Sequence, residues 1–403
     1  MTDPVVIIGN GIAAVSAAEA FRENDRGTPV IILSGEPYYA YYRMWLSSLL
    51  GEPLDLDKLY IHKPEWYAEL NIDVWLNCRA ESLDTENCTV LSDNGKTIKY
   101  SKLLLANGSS PFIPPVAGND LTGVFSIRSL DDVKKVNEYI SDKENGIVVG
   151  GGVLGLEVAW SLANKGKKVS VIEGSPYILS KQVDETASHL LMALGEKAGI
   201  NFVTNGKLTE IIGENGKVTS IQLEGKIMPA EFVVFSTGVR SNIGLVKNTP
   251  IKVGRGVQVN EYMQTSVENV YAAGDIAEYK GQVYGIWPVA REQGKTAGLN
   301  MAGKQVHYNE VVPSNYLKVF GVELYSVGDL CKDGKPFDSI KKLDKENNKY
   351  SIIFIRDSKP VGAVLFGDTK PAMKISKAIK SNLEIPEEII RNNDFEGLLA
   401  MLQ

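Results

Sequence analysis

Two glycine clusters, each followed by a carboxylate at the end of the next apolar run, are the residues best placed to do chemistry. In "IVVGGGVLGLEVAWSLAN" (147–164), Gly150, Gly152 and Gly155 give the spacing GxGxxG behind the apolar run Ile147–Val149. One glycine permits a tight strand-to-helix turn and the next lets the backbone approach a pyrophosphate. The third lets helix and strand pack closely, while the helix N-terminus offers free N–H groups to the phosphate charge. Val153–Asn164 reads as that helix. A second strand, Lys168–Ile172, ends in Glu173, about 20 residues on, where a carboxylate accepts from both hydroxyls of an adenosine ribose. Gly174 and Ser175 follow, with no arginine to receive a 2′-phosphate, which favours NADH over NADPH. A glycine-rich turn with a chance acid would fit the glycine spacing alone.

The first cluster has the same grammar. Pro4–Ile8 reads as the strand; Gly9, Gly11 and Ala14 make GxGxxA; Val30–Leu33 is the second strand. The acid comes slightly late, as Glu36 after Ser34 and Gly35. It is expected to be the ribose carboxylate, with an exposed turn glutamate as the plainer alternative. Two βαβ nucleotide sites about 140 residues apart suggest two cofactors side by side and hydride transfer from one to the other. FAD is expected at the first and a nicotinamide nucleotide at the second.

The rest of the chain must position these sites. Its 403 residues exceed what one core usually serves, so two or three domains are expected. With 44% apolar residues, 23% charged residues and a net charge of −6, it has no general attraction to nucleic acid or an anionic membrane surface. No apolar run approaches the roughly 18 residues of a membrane span. Asp3 stands where a signal peptide would carry lysines, so a cytoplasmic protein is expected. Cys78, Cys88 and Cys331 form no CxxC pair and the three histidines are scattered. Neither a metal site nor a disulfide scaffold is expected.

Further motifs carry a family resemblance. "YSKLLLANGSSPFIPP" (100–115) is similar to the crossover usually written ATGxxP, with Asn107 in place of threonine. "GVFSIRSLDD" (123–132), "FVVFSTGVRSN" (232–242) and "VYAAGDIAE" (270–278) follow in order. With the glycine clusters they resemble the flavoproteins with two dinucleotide-binding domains, the pyridine nucleotide-disulfide oxidoreductase superfamily. That resemblance implies an α/β fold with two Rossmann-like domains, for FAD and NADH, plus a smaller α+β C-terminal domain. The FAD domain would be discontinuous, residues 1–112 and 244–312, with the NADH domain at 113–243 and the third domain at 313–403. It further implies FAD contacts at Arg43, Ala80, Ala106, Gly108, Arg128, Asp275 and Pro288, and an NADH contact at Gly238. Asp275 would hold the ribityl chain. An aspartate capping a following helix would fit the same residues.

In the disulfide-reductase branches a cysteine follows the first ribose acid. Here "EPYYAYYRMWLSSLLGE" (36–52) has none, so no thiol stands ready to cycle between redox states. "YYRMWLSS" resembles the YxRPxLS pattern of rubredoxin reductases, ferredoxin reductases and the flavin portion of assimilatory nitrite reductases. Arg43 would lie near the FAD phosphates. Ser48 stands where several ferredoxin reductases have lysine, and "PSNYLKVFGVELYSVGD" (313–329) is most similar to NADH:rubredoxin reductases. No CxxC-bearing iron–sulfur module follows within these residues.

The implied activity is hydride uptake from NADH and electron delivery to a small carrier, rubredoxin-like. An NADH oxidase or small-oxidant reductase, or a flavoprotein subunit of a nitrite or nitrate reductase complex, are the alternatives. Glu157 would sit near the nicotinamide; complementing the helix dipole is its other reading. Trp287 could cover the flavin, with a helix from about Ala290 facing the ring, or simply pack. The tyrosines Tyr38, Tyr39, Tyr41 and Tyr42 could shape the flavin edge or pack. "KPAMKISKAIK" (370–380) carries four lysines and no acid, which suits an acidic carrier or an ordinary solvated helix face. A monomer or homodimer is expected.

Overall fold

Unbroken runs of β-branched and aromatic residues make strands covered on both faces. Val5–Ile8 and Phe232–Phe235 are such runs, with every residue buried. In the computed structural model, which describes residues 2–402, they are interior strands of two separate parallel sheets. The chain divides into two units. The first takes residues up to Trp45, Leu54–Pro111 and Gly238–Val311; the second takes Leu46–Pro53, Phe112–Thr237 and the chain from Val312 on. Leu46–Pro53, numbered within the expected FAD domain, is thus grouped with the second unit, and residues 238–243 with the first.

In the first unit the sheet order is Val270–Ala272, Lys102–Leu105, Val5–Ile8, Val30–Leu33, Ile72–Trp75, all parallel. The period of two divides each strand between two cores. Val5 and Ile7 join a cluster with Ala13, Ala17, Ala290 and Met301, whereas Val6 and Ile8 join one with Leu103, Leu105 and Val270. The helices Ile12–Arg22 and Trp287–Met301 touch backbone to backbone. A Cβ on Gly294 or Gly298 would lie 2.2 Å from the carbonyl oxygen of Ala13 or Ala17. Where the chain leaves and re-enters this unit, Ser109–Pro111 pairs antiparallel with Val239–Ser241. Asn107 Nδ2 donates to the Asn242 carbonyl at 2.9 Å and Asn242 Nδ2 to the Asn107 carbonyl at 2.7 Å.

The second unit holds a parallel sheet in the order Asn201–Val203, Lys168–Ile172, Asn145–Val149, Phe232–Phe235, Val124–Ser126. It also holds the five-stranded antiparallel sheet of the C-terminal region, Ser314–Val319, Val322–Gly328, Lys359–Phe366, Lys349–Arg356, Asp338–Asp344. Ile375, Ile379, Phe395 and Leu398 from the last helices cover Ile353, Ile355 and Leu365 of that sheet. The architecture is the α/β one expected, two Rossmann-like sheets with an α+β C-terminal region. No helix among the described residues is long and apolar enough to cross a membrane. One boundary moves. The helix expected from about Ala290 starts at Trp287, because Pro288 at its first turn has the backbone angle a helix needs and no N–H to leave unpaired.

Candidate nucleotide-binding sites

Both glycine clusters fold as their spacing requires. In the second unit Gly150 turns the chain at φ +113°, and a Cβ there would lie 2.4 Å from the Ser236 carbonyl oxygen. Gly155 packs the helix on the turn, since its Cβ would lie 1.9 Å from the Gly150 carbonyl oxygen. Gly152, by contrast, faces open space, and a Cβ added to it would meet nothing within 4 Å. It also starts the helix Val153–Asn164 without a side-chain cap, so the first N–H groups are left for a ligand. Glu173 closes this site. Its carboxylate accepts from the Gly151 N–H at 2.7 Å and the Ser175 N–H at 2.7 Å, which aims it along the glycine loop with acceptor capacity to spare. These residues fit a dinucleotide.

The first unit repeats the arrangement. Gly9 has φ +104° and lies against the Ala106 carbonyl, Gly11 faces open space and leaves the helix Ile12–Arg22 uncapped, and Ala14 is fully buried. Among the described residues of this unit, five polar side-chain atoms are buried without a partner: Arg22 Nε, Tyr100 Oη and, on the glycine turn, the segment after the strand Lys102–Leu105 and the start of the helix Trp287–Met301, Asn10 Oδ1, Asn107 Oδ1 and Trp287 Nε1. Buried polar groups are normally hydrogen-bonded, so the orphans at Asn10, Asn107 and Trp287 are atoms that a bound polar ligand could satisfy. The unit fits a flavin dinucleotide on that count. Spacing carried no signal for Asn10, which is simply the variable residue of the GxG turn.

Around Glu36 the structure adds a network. Arg43 Nη2 pairs with Glu36 Oε1 at 2.5 Å, and the Tyr41 hydroxyl donates to Glu36 Oε2 at 2.7 Å. Burial works to lower the Arg43 pKa, but Tyr41, Glu36 and Asp275 outweigh it and hold the guanidinium charged. Arg43 is therefore fastened to the expected ribose acid. Ala80 opens a strand whose approach runs beside that acid, with Cys78 N–H donating to the Ser34 carbonyl at 2.7 Å and Asn77 N–H to the Glu36 carbonyl at 3.2 Å. Ala106 follows the strand Lys102–Leu105, and Gly108 turns at φ +65°.

Asp275 sits behind the strand Val270–Ala272 at the sheet's carboxyl edge. The Ser109 hydroxyl donates to its Oδ2 at 2.9 Å, and the Ser241 hydroxyl to its carbonyl at 2.6 Å. A turn and the strand Ala277–Tyr279 follow it, so the helix-capping alternative fails for want of a helix. Ser109, Ser241 and Gln293, whose Oε1 accepts the Gly274 N–H at 2.9 Å, support this turn and had no motif to announce them.

Of the expected FAD residues, all but Arg128 belong to the first unit. Arg128 belongs to the second, just before the Ser129 cap of the helix Leu130–Ile140. Gly238, expected with NADH, turns at φ +93° and opens the return segment of the first unit. Pro288 and Trp287 occupy the first turn of their helix in the first unit.

Glu157 lies on the second-unit nucleotide helix. No acid occupies that helix's first turn and Glu157 is its fifth residue, beyond the reach of the terminal dipole, so the dipole reading is dropped. Burial pushes its carboxyl pKa up, opposed by a hydrogen bond from the Ser47 hydroxyl at 2.9 Å. Of the tyrosines, Tyr38 and Tyr41 are buried and Tyr39 packs on Tyr67. On the helix Ala372–Lys380, Ile375, Ala378 and Ile379 face inward while Lys374, Lys377 and Lys380 are exposed.

Similarity to known proteins follows the same division. Residues 313–383 match the rubredoxin NAD+ reductase C-terminal domain. An NADH-rubredoxin oxidoreductase from Clostridium acetobutylicum is 32% identical, over 94% of both chains. The nitrite reductase [NAD(P)H] of Bacillus subtilis is 36% identical over 95% of this chain but 48% of its own length, so the chain spans about half of that relative. A ferredoxin reductase structure from Rhodopseudomonas palustris superposes with a TM-score of 0.91 over 99% of each chain at 23% identity, a likeness of fold. With residues 3–294 matching the family of the pyridine nucleotide-disulphide oxidoreductases, this chain belongs to that family.

Proposed function

We propose that the chain is an FAD-dependent oxidoreductase that takes hydride from NADH and delivers electrons to a small carrier protein, rubredoxin in the first instance. The observation that carries this reading is the match of residues 313–383 to the rubredoxin NAD+ reductase C-terminal domain, in a chain that aligns over 94% of its length with an NADH-rubredoxin oxidoreductase. The thiol-free stretch 36–52 agrees with it.

When bound, a flavin accepts a two-electron hydride and releases electrons singly. The protein's part is to bind and orient. Glu173 takes the ribose hydroxyls of NADH, and the uncapped helix starting at Val153 takes its pyrophosphate. Glu36 and the helix starting at Ile12 do the same for FAD, with Arg43 holding Glu36 in place. Asp275, steadied by Ser109, accepts from the ribityl chain. Glu157 would sit near the nicotinamide, and Trp287 would cover the flavin. Ala80, Ala106, Gly108, Arg128 and Pro288 complete the FAD contacts, and Gly238 the NADH contacts. The domains run 1–112 with 244–312 for FAD, 113–243 for NADH and 313–403 for the C-terminal region. We place the protein in the cytoplasm, as a monomer or homodimer, without a nucleic-acid or membrane partner.

Likeness to half of a nitrite reductase favours a second reading, an electron-transfer subunit for a nitrite- or nitrate-reducing partner. Anaerobic NADH oxidation against purified rubredoxin, ferredoxin and flavodoxin, with NADPH in parallel, tests both. Fast turnover with rubredoxin and slow reoxidation by air support the first reading. Turnover only with a nitrite-reducing partner supports the second, and fast reaction with oxygen alone overturns both.

A further inference from the structure

We infer that Lys332, in the loop behind the strand Val322–Gly328, is a positioning residue for NADH: its ammonium holds the loop 174–184 against the glycine turn of the second nucleotide site. The inference rests on NADH occupying that site, and it gives the C-terminal region a share in the affinity. Loop 174–184 begins directly behind the ribose acid Glu173 and ends at Asp184, the cap of the helix Glu185–Lys197. The Leu179 N–H donates to the Gly151 carbonyl at 2.9 Å, and a Cβ on Gly151 would lie 2.9 Å from Ile178 Cγ2. The Ser180 hydroxyl donates to that of Ser175 at 3.1 Å, and the Ser175 N–H is one of the two that pin Glu173. The places of Gly151 and Glu173 therefore depend on the shape of this loop. No strand or helix imposes that shape, and Leu179 has φ +53°, a left-handed conformation that a residue with a Cβ keeps only where its surroundings require it.

The C-terminal region supplies the restraint. Lys332 Nζ donates to the carbonyl oxygens of Ser180 and, at 2.6 Å, of Val183, and it lies 5.5 Å from the centroid of the Tyr177 ring. Two carbonyls and a ring face give an ammonium a replacement for water. Desolvation there lowers the Lys332 pKa, against the opposing charge of Asp184. One strand, Lys349–Arg356, anchors both parts of the arrangement. Arg356 at its end pairs with Asp329 at 3.1 Å and with Asp333, so the turn that carries Lys332 is clamped on either side. Near the strand's start the Tyr350 hydroxyl donates to Asp184 Oδ2 at 2.8 Å, fixing the point where the loop meets its helix.

The test titrates the flavin-loaded protein with NAD+, which brings no hydride to the flavin. Lys332→Met keeps an apolar stem and removes the ammonium. It should weaken NAD+ binding about tenfold and raise KM for NADH by a similar factor with ferricyanide as acceptor, while kcat holds. Amide hydrogen exchange across 174–184 should quicken in the nucleotide-free variant, with the helix Val153–Asn164 as the unchanged reference. Lys332→Arg should restore binding, since a guanidinium also donates to two carbonyls. Lys335→Met removes an equal charge from an exposed lysine three positions on and should bind as the parent does. Parent-like affinity in Lys332→Met, equal weakening in Lys335→Met, or a fall in kcat in step with flavin loss overturns the positioning role and leaves the reading of the site intact. If Glu173→Ala leaves NADH affinity untouched, the reading of the site falls as well.

Discussion

The Ser47 hydroxyl donates a 2.9 Å hydrogen bond to the Glu157 carboxylate across 110 positions of sequence. It fastens the segment Leu46–Pro53 to the helix Val153–Asn164 of the second glycine cluster, and Asn137 fastens it again by accepting the Gly51 N–H at 2.8 Å and donating to the Leu49 carbonyl at 3.0 Å. A stretch that follows the first fingerprint in sequence therefore belongs structurally with the second.

This pair sets a pH dependence of stability. Burial raises the Glu157 pKa above the ordinary glutamate value, so the folded state prefers the protonated acid and loses stability as pH rises through the folded pKa. Glu157→Gln should be more stable than the parent at pH 8, with the difference closing below the ordinary glutamate range. Ser47→Ala removes the bond that opposes the shift and leaves a buried carboxylate short of a donor. It should cost about 1.5–3 kcal/mol at pH 8 and less in acid. Urea unfolding at both pH values measures each effect, and a pH-independent difference would contradict it.

The contact of Gly294 and Gly298 with Ala13 and Ala17 predicts a second result. Each added Cβ would lie 2.2 Å from a backbone oxygen, which no rotamer can relieve. Gly294→Ala and Gly298→Ala should each destabilise the protein by about 1–3 kcal/mol, although alanine is the better helix former. Thermal unfolding decides between crowding and propensity, since a raised midpoint would mean that propensity wins.

Sequence patterns reach the elements whose residues carry a local rule. The strands Lys168–Ile172 and Phe232–Phe235 and the helix Val153–Asn164 lie at the expected residues, since apolar runs and glycine turns act over short range. What they miss acts at a distance. Ser109 meets Asp275 across 166 positions, and Asn107 pairs with Asn242 across 135. Neither serine nor asparagine advertises a partner so far away. Trp287 falls inside the first turn of its helix rather than ahead of it, because the fixed backbone angle of Pro288 suits that turn. The Arg43–Glu36 pair is legible as two residues but not as one unit.

Ser109 offers a test of the flavin side that spares Asp275 itself. Its hydroxyl donates to one carboxylate oxygen of Asp275, while the Ser241 hydroxyl fixes the same residue's carbonyl. Ser109→Ala should remove one donor from the Asp275 carboxylate and weaken FAD retention about fivefold, the equivalent of one ordinary hydrogen bond. Flavin fluorescence on dilution reads the release. An unchanged dissociation constant would remove Ser109 from the binding turn.

The proposed role of Glu173 in the choice of nucleotide gives a further prediction. Both of its oxygens are pinned by backbone N–H groups at 2.7 Å, so the side chain is held in place before any ligand arrives. A carboxylate held at that position rewards two free ribose hydroxyls and repels a 2′-phosphate, since the phosphate brings like charge and no donor. Glu173→Ala should weaken NADH binding about tenfold or more, by loss of charge-assisted hydrogen bonds, and leave NADPH binding unchanged or improved. Adding Ser175→Arg should then favour NADPH outright, because a guanidinium can hold the phosphate bidentately. Titration of both nucleotides into the two variants checks the pair. A parent that already binds NADPH as well as NADH would show that the Glu173 carboxylate does not discriminate between them.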